Sequence, residues 1–141
     1  MKVFLDANVI ISVLNREYPL FVYSARILSL AHSRKFELYT SPLCLAIAFY
    51  FSSKKSGEKM AKSKIKLVLE NINLTNIDDS VTRKAVTDPR INDFEDGLEY
   101  YSAIGKSCKV IITENKEDFF FSEIEALNCM EFITRYCNST K

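Results

Sequence analysis

Short apolar runs alternate with segments whose apolar residues recur at helical spacing, and this alternation leaves few architectures open. The runs Lys2 to Leu5, Phe36 to Thr40, Ile72 to Ile77 and Lys109 to Thr113 are strand-length and apolar. Between them the spacing predicts helices: one after Asp6 carrying Val9, Ile10, Ile11, Val13 and Leu14, then Leu20 to Ser33 and Ser41-Pro42 to Phe51. Further helices are expected over Glu58 to Glu70, from Asp78 to Thr87, and from Asn92 to Lys106 with Phe94, Leu98, Tyr101 and Ile104 inward. The end of the chain reads as a short helix over Ser122 to Leu127, a strand stub at Cys129-Met130 and a terminal helix from Glu131 to Cys137. Strands that alternate with helices argue for a parallel sheet covered on both faces. The expectation is a three-layer α/β/α sandwich around a mostly parallel sheet of roughly five strands. One domain is expected over residues 1–141, a length that supports a single core.

Parallel strands joined by right-handed crossovers end on one edge of the sheet, where open α/β folds gather ligands and chemistry. Asp6 ends the first strand and Thr113 the fourth, with Asn115 and Asp118 just beyond. The helix that carries Asp93 and Asp96 starts at the same edge, and their three-residue spacing gives them a shared face. Asp6, Asp93, Asp96 and Asp118 are thus expected in one pocket, with Asn8, Thr113 and Asn115 beside them. Clustered carboxylates repel, so one takes up a proton unless a cation neutralises the group. Oxygen donors without His or Cys point to Mg²⁺ or Mn²⁺, which activates water and stabilises a phosphoryl transition state. Each acid also has a simpler reading. Asp6 and Asp93 are good helix caps, and Asp118 could cap the turn at Phe119 to Phe121.

Composition removes several function classes. Hydrophobic residues at 48% and charged residues at 26% suit a globular chain. A net charge of +1 leaves any nucleic-acid surface to local patches. Cys44, Cys108, Cys129 and Cys137 have no C-x-x-C spacing, and His32 is the only histidine, so neither a zinc site nor a disulfide framework is expected. The longest apolar run, Leu43 to Phe51, is far below the ~20 residues of a membrane helix, so no membrane partner is expected. Asp6 comes too early for a signal peptide, and the expected location is cytoplasmic.

At these residues the chain resembles the PIN domain family, the metal-dependent ribonuclease fold of VapC-type toxins. Asp6-Ala-Asn8-Val is similar to the family's opening motif, and Tyr39-Thr-Ser41-Pro-Leu to its second strand leading into a helix. Asp96 with the helix to Ala103, and Val110-Ile-Ile-Thr113-Glu-Asn115-Lys-Glu-Asp118-Phe119, resemble its later motifs. The resemblance implies an RNA phosphodiesterase in which Asp6, Asp96 and Asp118 hold Mg²⁺ or Mn²⁺, with Asp93 as an extra ligand or water-orienting base. It assigns Asn8 to orienting Asp6, and Thr113 and Asn115 to positioning water or phosphate. It implies an RNA substrate and an antitoxin protein as partners, and the many aromatic side chains admit a homodimer. The family usually has a glutamate inside the helix after Ser41, where this chain has Ala46 and Ile47, and an aspartate where it has Asn115. The alternative is therefore a PIN-fold module that binds RNA or protein without cleavage. A phosphatase of the haloacid dehalogenase type would need an aspartate in place of Asn8. Lys54, Lys55, Lys59, Lys62, Lys64 and Lys66 form a local basic stretch that suits phosphate contact or simple solvation.

Overall fold

A computed structural model describes residues 1–137, so the carboxyl-terminal boundary expected at 141 lies outside the described residues. Strands β1 (Lys2–Leu5), β2 (Glu37–Thr40), β3 (Asn73–Leu74), β4 (Val110–Ile112) and β5 (Glu125–Leu127) form one sheet in the order β3-β2-β1-β4-β5. Every pairing is parallel. Helices α1 (Ala7–Asn15) and α2 (Leu20–Ser29) link β1 to β2, and α3 (Pro42–Ser56) and α4 (Glu58–Leu69) link β2 to β3. Helices α5 (Asp79–Thr87) and α6 (Phe94–Gly105) carry the chain from β3 back to β4, and α7 (Cys129–Tyr136) follows β5. The parallel α/β architecture agrees with the expected sandwich.

The strands alternate between two cores, as a period of two requires. Val3, Leu5, Leu38, Val110, Ile112 and Leu127 face a cluster with Val9 and Ile10 of α1, Ile27 of α2, Val68 of α4 and Phe132 of α7. Phe4, Tyr39 and Ile111 face the other side, against Cys44 of α3, Tyr100 and Ala103 of α6, and Phe119 and Phe121. The order of strands reverses direction between β1 and β4, and that switch point is where the carboxyl ends open a crevice.

Local chemistry fixes where the helices begin. Ser41 accepts from the Cys44 amide at 3.0 Å and Pro42 occupies the first turn, which starts α3 as the sequence predicts. The end of the chain differs from expectation. Residues 122–127 are not helical: the Ser122 hydroxyl engages Ile124 on both sides of a turn, and Glu125–Leu127 pairs with β4. Cys129 and Met130 belong to α7 rather than to a strand. Asn128 and Glu131 form a reciprocal capping box that sets the helix start. Tertiary pairing on an open sheet edge outweighs the weak helical preference of three residues.

The third strand is shorter than expected, two residues in place of six, and the helix expected to Ser33 ends as a 3-10 turn over Leu30–His32. In α6 Leu98 and Tyr101 of the predicted stripe pack inward, but its two ends do not. Phe94 is 46% and Ile104 37% exposed, whereas Glu99, Tyr100 and Ala103 are buried. This helix packs against the sheet with Tyr100 and Ala103 and against α5 with Leu98.

Candidate functional site

Register places Leu5 beside Ile112, so the next residues on each strand, Asp6 and Thr113, emerge together at the switch point. Asp6 caps α1: its Oδ1 accepts from the Ala7 amide at 2.6 Å. Its Oδ2 accepts from the Thr113 hydroxyl at 2.7 Å and from Asn8 Nδ2 at 3.3 Å. Asn8 Nδ2 also donates to Thr113 Oγ1 at 3.2 Å, and Asn8 Oδ1 accepts from the Glu114 amide at 3.2 Å. The Asn115 amide donates to Thr113 Oγ1 at 3.1 Å, which ties the loop after β4 to the same network. Capping and site geometry therefore coexist in Asp6, because a carboxylate has two oxygens to commit.

Asp93 is the N-cap of α6, with Oδ1 accepting from the amides of Glu95 at 2.9 Å and Asp96 at 3.4 Å. Asp96 stands one turn in. Burial, then the charges of Asp93, Asp118 and Asp6, push its carboxyl up to about 7. Three other acids from three chain segments thus act on Asp96, but among the described residues the close group of ligand atoms joins Asp6 to Cys44 and Glu99 instead. Asp118 is exposed, on a 3-10 turn over Lys116–Phe119 whose Phe119 is buried and anchors it. Asn115 is also exposed, just after Thr113. Glu114, which the sequence leaves unassigned, accepts from the Cys129 amide at 2.9 Å and steadies the start of α7.

Glu99 is the site residue that sequence reasoning passed over. It is 3% exposed. One of its carboxyl oxygens, one of Asp6 and the Cys44 sulfur all lie within 4.8 Å of one another. Burial first, then Asp6 and Asp96, push the Glu99 carboxyl up to about 11. The signal was the repeat Asp93, Asp96, Glu99, three residues apart on one helix. The Cys44 thiol is also pushed up, by burial and by Glu99 and Asp6, which keeps it neutral. Ile47 of α3 packs, half-buried, against the cluster that contains Cys44 and Ala7. Gly97 sits between Asp96 and Glu99, and a Cβ there would lie 3.0 Å from the Ala85 Cβ. Its lack of a side chain lets α5 approach and seat the acidic turn.

The basic stretch is placed differently from a uniform face. Lys55 donates to the Asn15 carbonyl at 2.6 Å and Lys64 to the Leu14 carbonyl at 2.9 Å. Both cations neutralise the carboxyl end of α1. Tyr100 is buried, and the half-buried Tyr101 donates to Asp88 at 2.6 Å. Among the described residues no helix is long and apolar enough to cross a membrane.

The PIN domain model matches residues 2–117. Ribonuclease VapC1 of Aquifex aeolicus (strain VF5) is 31% identical over 139 residues, covering 96% of this chain and 95% of that protein. VapBC2 from Rickettsia felis, solved with a DNA fragment from its promoter, aligns with a TM-score of 0.70 at 18% identity, over 91% of this chain and 98% of that one. VapBC-1 from nontypeable Haemophilus influenzae aligns with a TM-score of 0.68 at 18% identity, over 92% and 99%. Mycobacterium tuberculosis VapC20, a sarcin–ricin loop cleaving toxin, aligns with a TM-score of 0.61 at 15% identity, over 77% and 86%. At these identities the solved structures show a shared fold.

Proposed function

The chain belongs to the PIN domain family, and from that premise we propose that it is a divalent-metal-dependent endoribonuclease, the toxin of a toxin–antitoxin pair. The observation that carries the reading is the Asp96 carboxyl, which burial first, and then the charges of Asp93, Asp118 and Asp6, push up to about 7. Acids from the end of β1, the start of α6 and the loop after β4 have no structural need to repel one another in one place. An oxygen-rich donor set of this kind fits Mg²⁺ or Mn²⁺, with Asp6, Asp96 and Asp118 as the residues that would hold it. When bound, the ion would polarise the scissile phosphate and lower the pKa of a coordinated water.

The chain's own groups supply orientation. Thr113 and Asn8 fix Oδ2 of Asp6, and the Ala7 amide fixes Oδ1, so this carboxylate is held before substrate arrives. Asp93 commits Oδ1 to the α6 amides and keeps its other oxygen for a water or the ion. Asn115, exposed next to Thr113, is placed to orient water or a phosphate oxygen. Asp93, with that free oxygen, is the group that would orient the water attacking the phosphodiester in line. The solved VapBC relatives support an antitoxin as partner, and the ribonuclease relative supports RNA as substrate.

The test is cleavage of a structured RNA by the native chain and by Asp6→Asn. Cleavage that needs Mg²⁺ or Mn²⁺, stops with chelator, and is lost in a folded Asp6→Asn supports the nuclease. The second reading, a PIN-fold module that binds without cleaving, is favoured by Ile47, whose apolar side chain packs where the family has an acid. RNA retained by the native chain without metal and without cleavage would establish that reading instead.

A further inference from the structure

We propose that Glu99 is a direct ligand of the divalent cation, supplying from α6 the inner carboxylate that α3 lacks. The inference rests on the metal-dependent reading above and names a residue which that reading does not use. Glu99 is 3% exposed, and its Oε1 is buried with no hydrogen-bond partner. A buried, unpartnered carboxylate oxygen costs stability unless something occupies it. The groups acting most strongly on it are two acids, Asp6 and Asp96, and the Cys44 thiol. This carboxyl lies beside Asp6, the acid held by Ala7, Asn8 and Thr113.

The spacing of these groups fits an ion. Ligand oxygens about 2.1 Å from a hexacoordinate Mg²⁺ or Mn²⁺ sit roughly 3 to 4 Å from one another, within reach of the separations here. The Cys44 sulfur belongs to the same group, and Mg²⁺ or Mn²⁺ prefers the carboxylate oxygens beside it to a soft sulfur donor. Ile47 packs against the same cluster from α3, so the acid comes from α6 and not from α3. Asp96 and Glu99, three residues apart on α6, then both face the ion.

An alternative role is that of a positioning residue, a neutral carboxyl that donates a hydrogen bond to Asp6. Glu99→Gln separates the two, because a glutamine amide keeps a donor but ligates weakly and carries no charge. The measurement is Mn²⁺ binding, by calorimetry and by the free-Mn²⁺ electron paramagnetic resonance signal, to the native chain, Glu99→Gln and Asp6→Asn. The expected result is binding by the native chain, at least about tenfold weaker binding by Glu99→Gln, and none by Asp6→Asn. Equal affinity of the native chain and Glu99→Gln overturns the ligand role while leaving the metal-dependent reading intact. No binding by the native chain at millimolar Mn²⁺ overturns both. Should Glu99→Gln fail to fold, Glu99→Asp carries the same test, since a carboxylate withdrawn by one methylene should also bind more weakly. Unchanged affinity in that variant overturns the assignment.

Discussion

Replacing Glu99 by glutamine should stabilise the metal-free protein, and the gain should grow with pH. In the folded chain burial and the neighbouring acids hold this carboxyl protonated up to about 11, against an ordinary 4.5. The folded state therefore binds one more proton than the unfolded state across that window, and stability falls as pH rises through it. At about pH 7 the fold must keep protonated a group that the unfolded chain would ionise. With each pH unit above 4.5 costing roughly 1.4 kcal/mol, the burden is about 3 kcal/mol. Near pH 5 it is only about 1 kcal/mol. Asp96, pushed up to about 7, adds a loss of the same sign between 3.8 and about 7, but both proteins carry it. Urea unfolding with chelator present, at about pH 5 and about pH 7, reads the difference between native and Glu99→Gln. The variant should gain about 3 kcal/mol at the higher pH and about 1 at the lower. No gain at the higher pH, or the same gain at both, would refute the argument that burial holds this carboxyl neutral.

Thr113→Val should cost about 1–3 kcal/mol, since it removes the hydroxyl that donates to Asp6 and accepts from Asn8 and Asn115; chemical unfolding reads it. Gly97→Ala should lose about 1–3 kcal/mol by pushing α6 off Ala85, and should weaken Mn²⁺ binding because it shifts Asp96; unchanged unfolding and binding would contradict the close-approach argument. Asn128→Ala should cost about 1 kcal/mol by breaking the capping box of α7, with no change in Mn²⁺ affinity.

Most of the architecture was legible because periodicity and punctuation agreed. Val3, Phe4 and Leu5 followed by Asp6, or Thr40 followed by Ser41-Pro42, carry strand, cap and helix start in adjacent residues. The region after Thr113 was less legible because its structure is settled by distant partners. Residues 125–127 become a strand only because β4 offers an open edge, and Glu114 is committed to α7 across fifteen positions. The capping box at Asn128 and Glu131 was nevertheless present in the sequence and outranks the apparent strand stub at Cys129. The positions of Asp6 at the end of β1 and Asp96 in the first turn of α6 followed from topology. Glu99 did not, because a carboxylate on a buried face runs against the usual exposure of charged side chains. Its burial is a tertiary fact: α6 must meet both the sheet and α5, and only one rotation of the helix does so.

The most direct test of a cation site at the carboxyl edge is thermal unfolding of the native chain and Asp6→Asn with and without excess Mn²⁺. An ion at 100 times its dissociation constant adds about 2.7 kcal/mol, which for a chain of this size raises Tm by on the order of 10 °C. The expected result is that rise in the native chain and its loss in a folded Asp6→Asn. A native chain that does not respond to Mn²⁺, or a rise that survives Asp6→Asn, would contradict it.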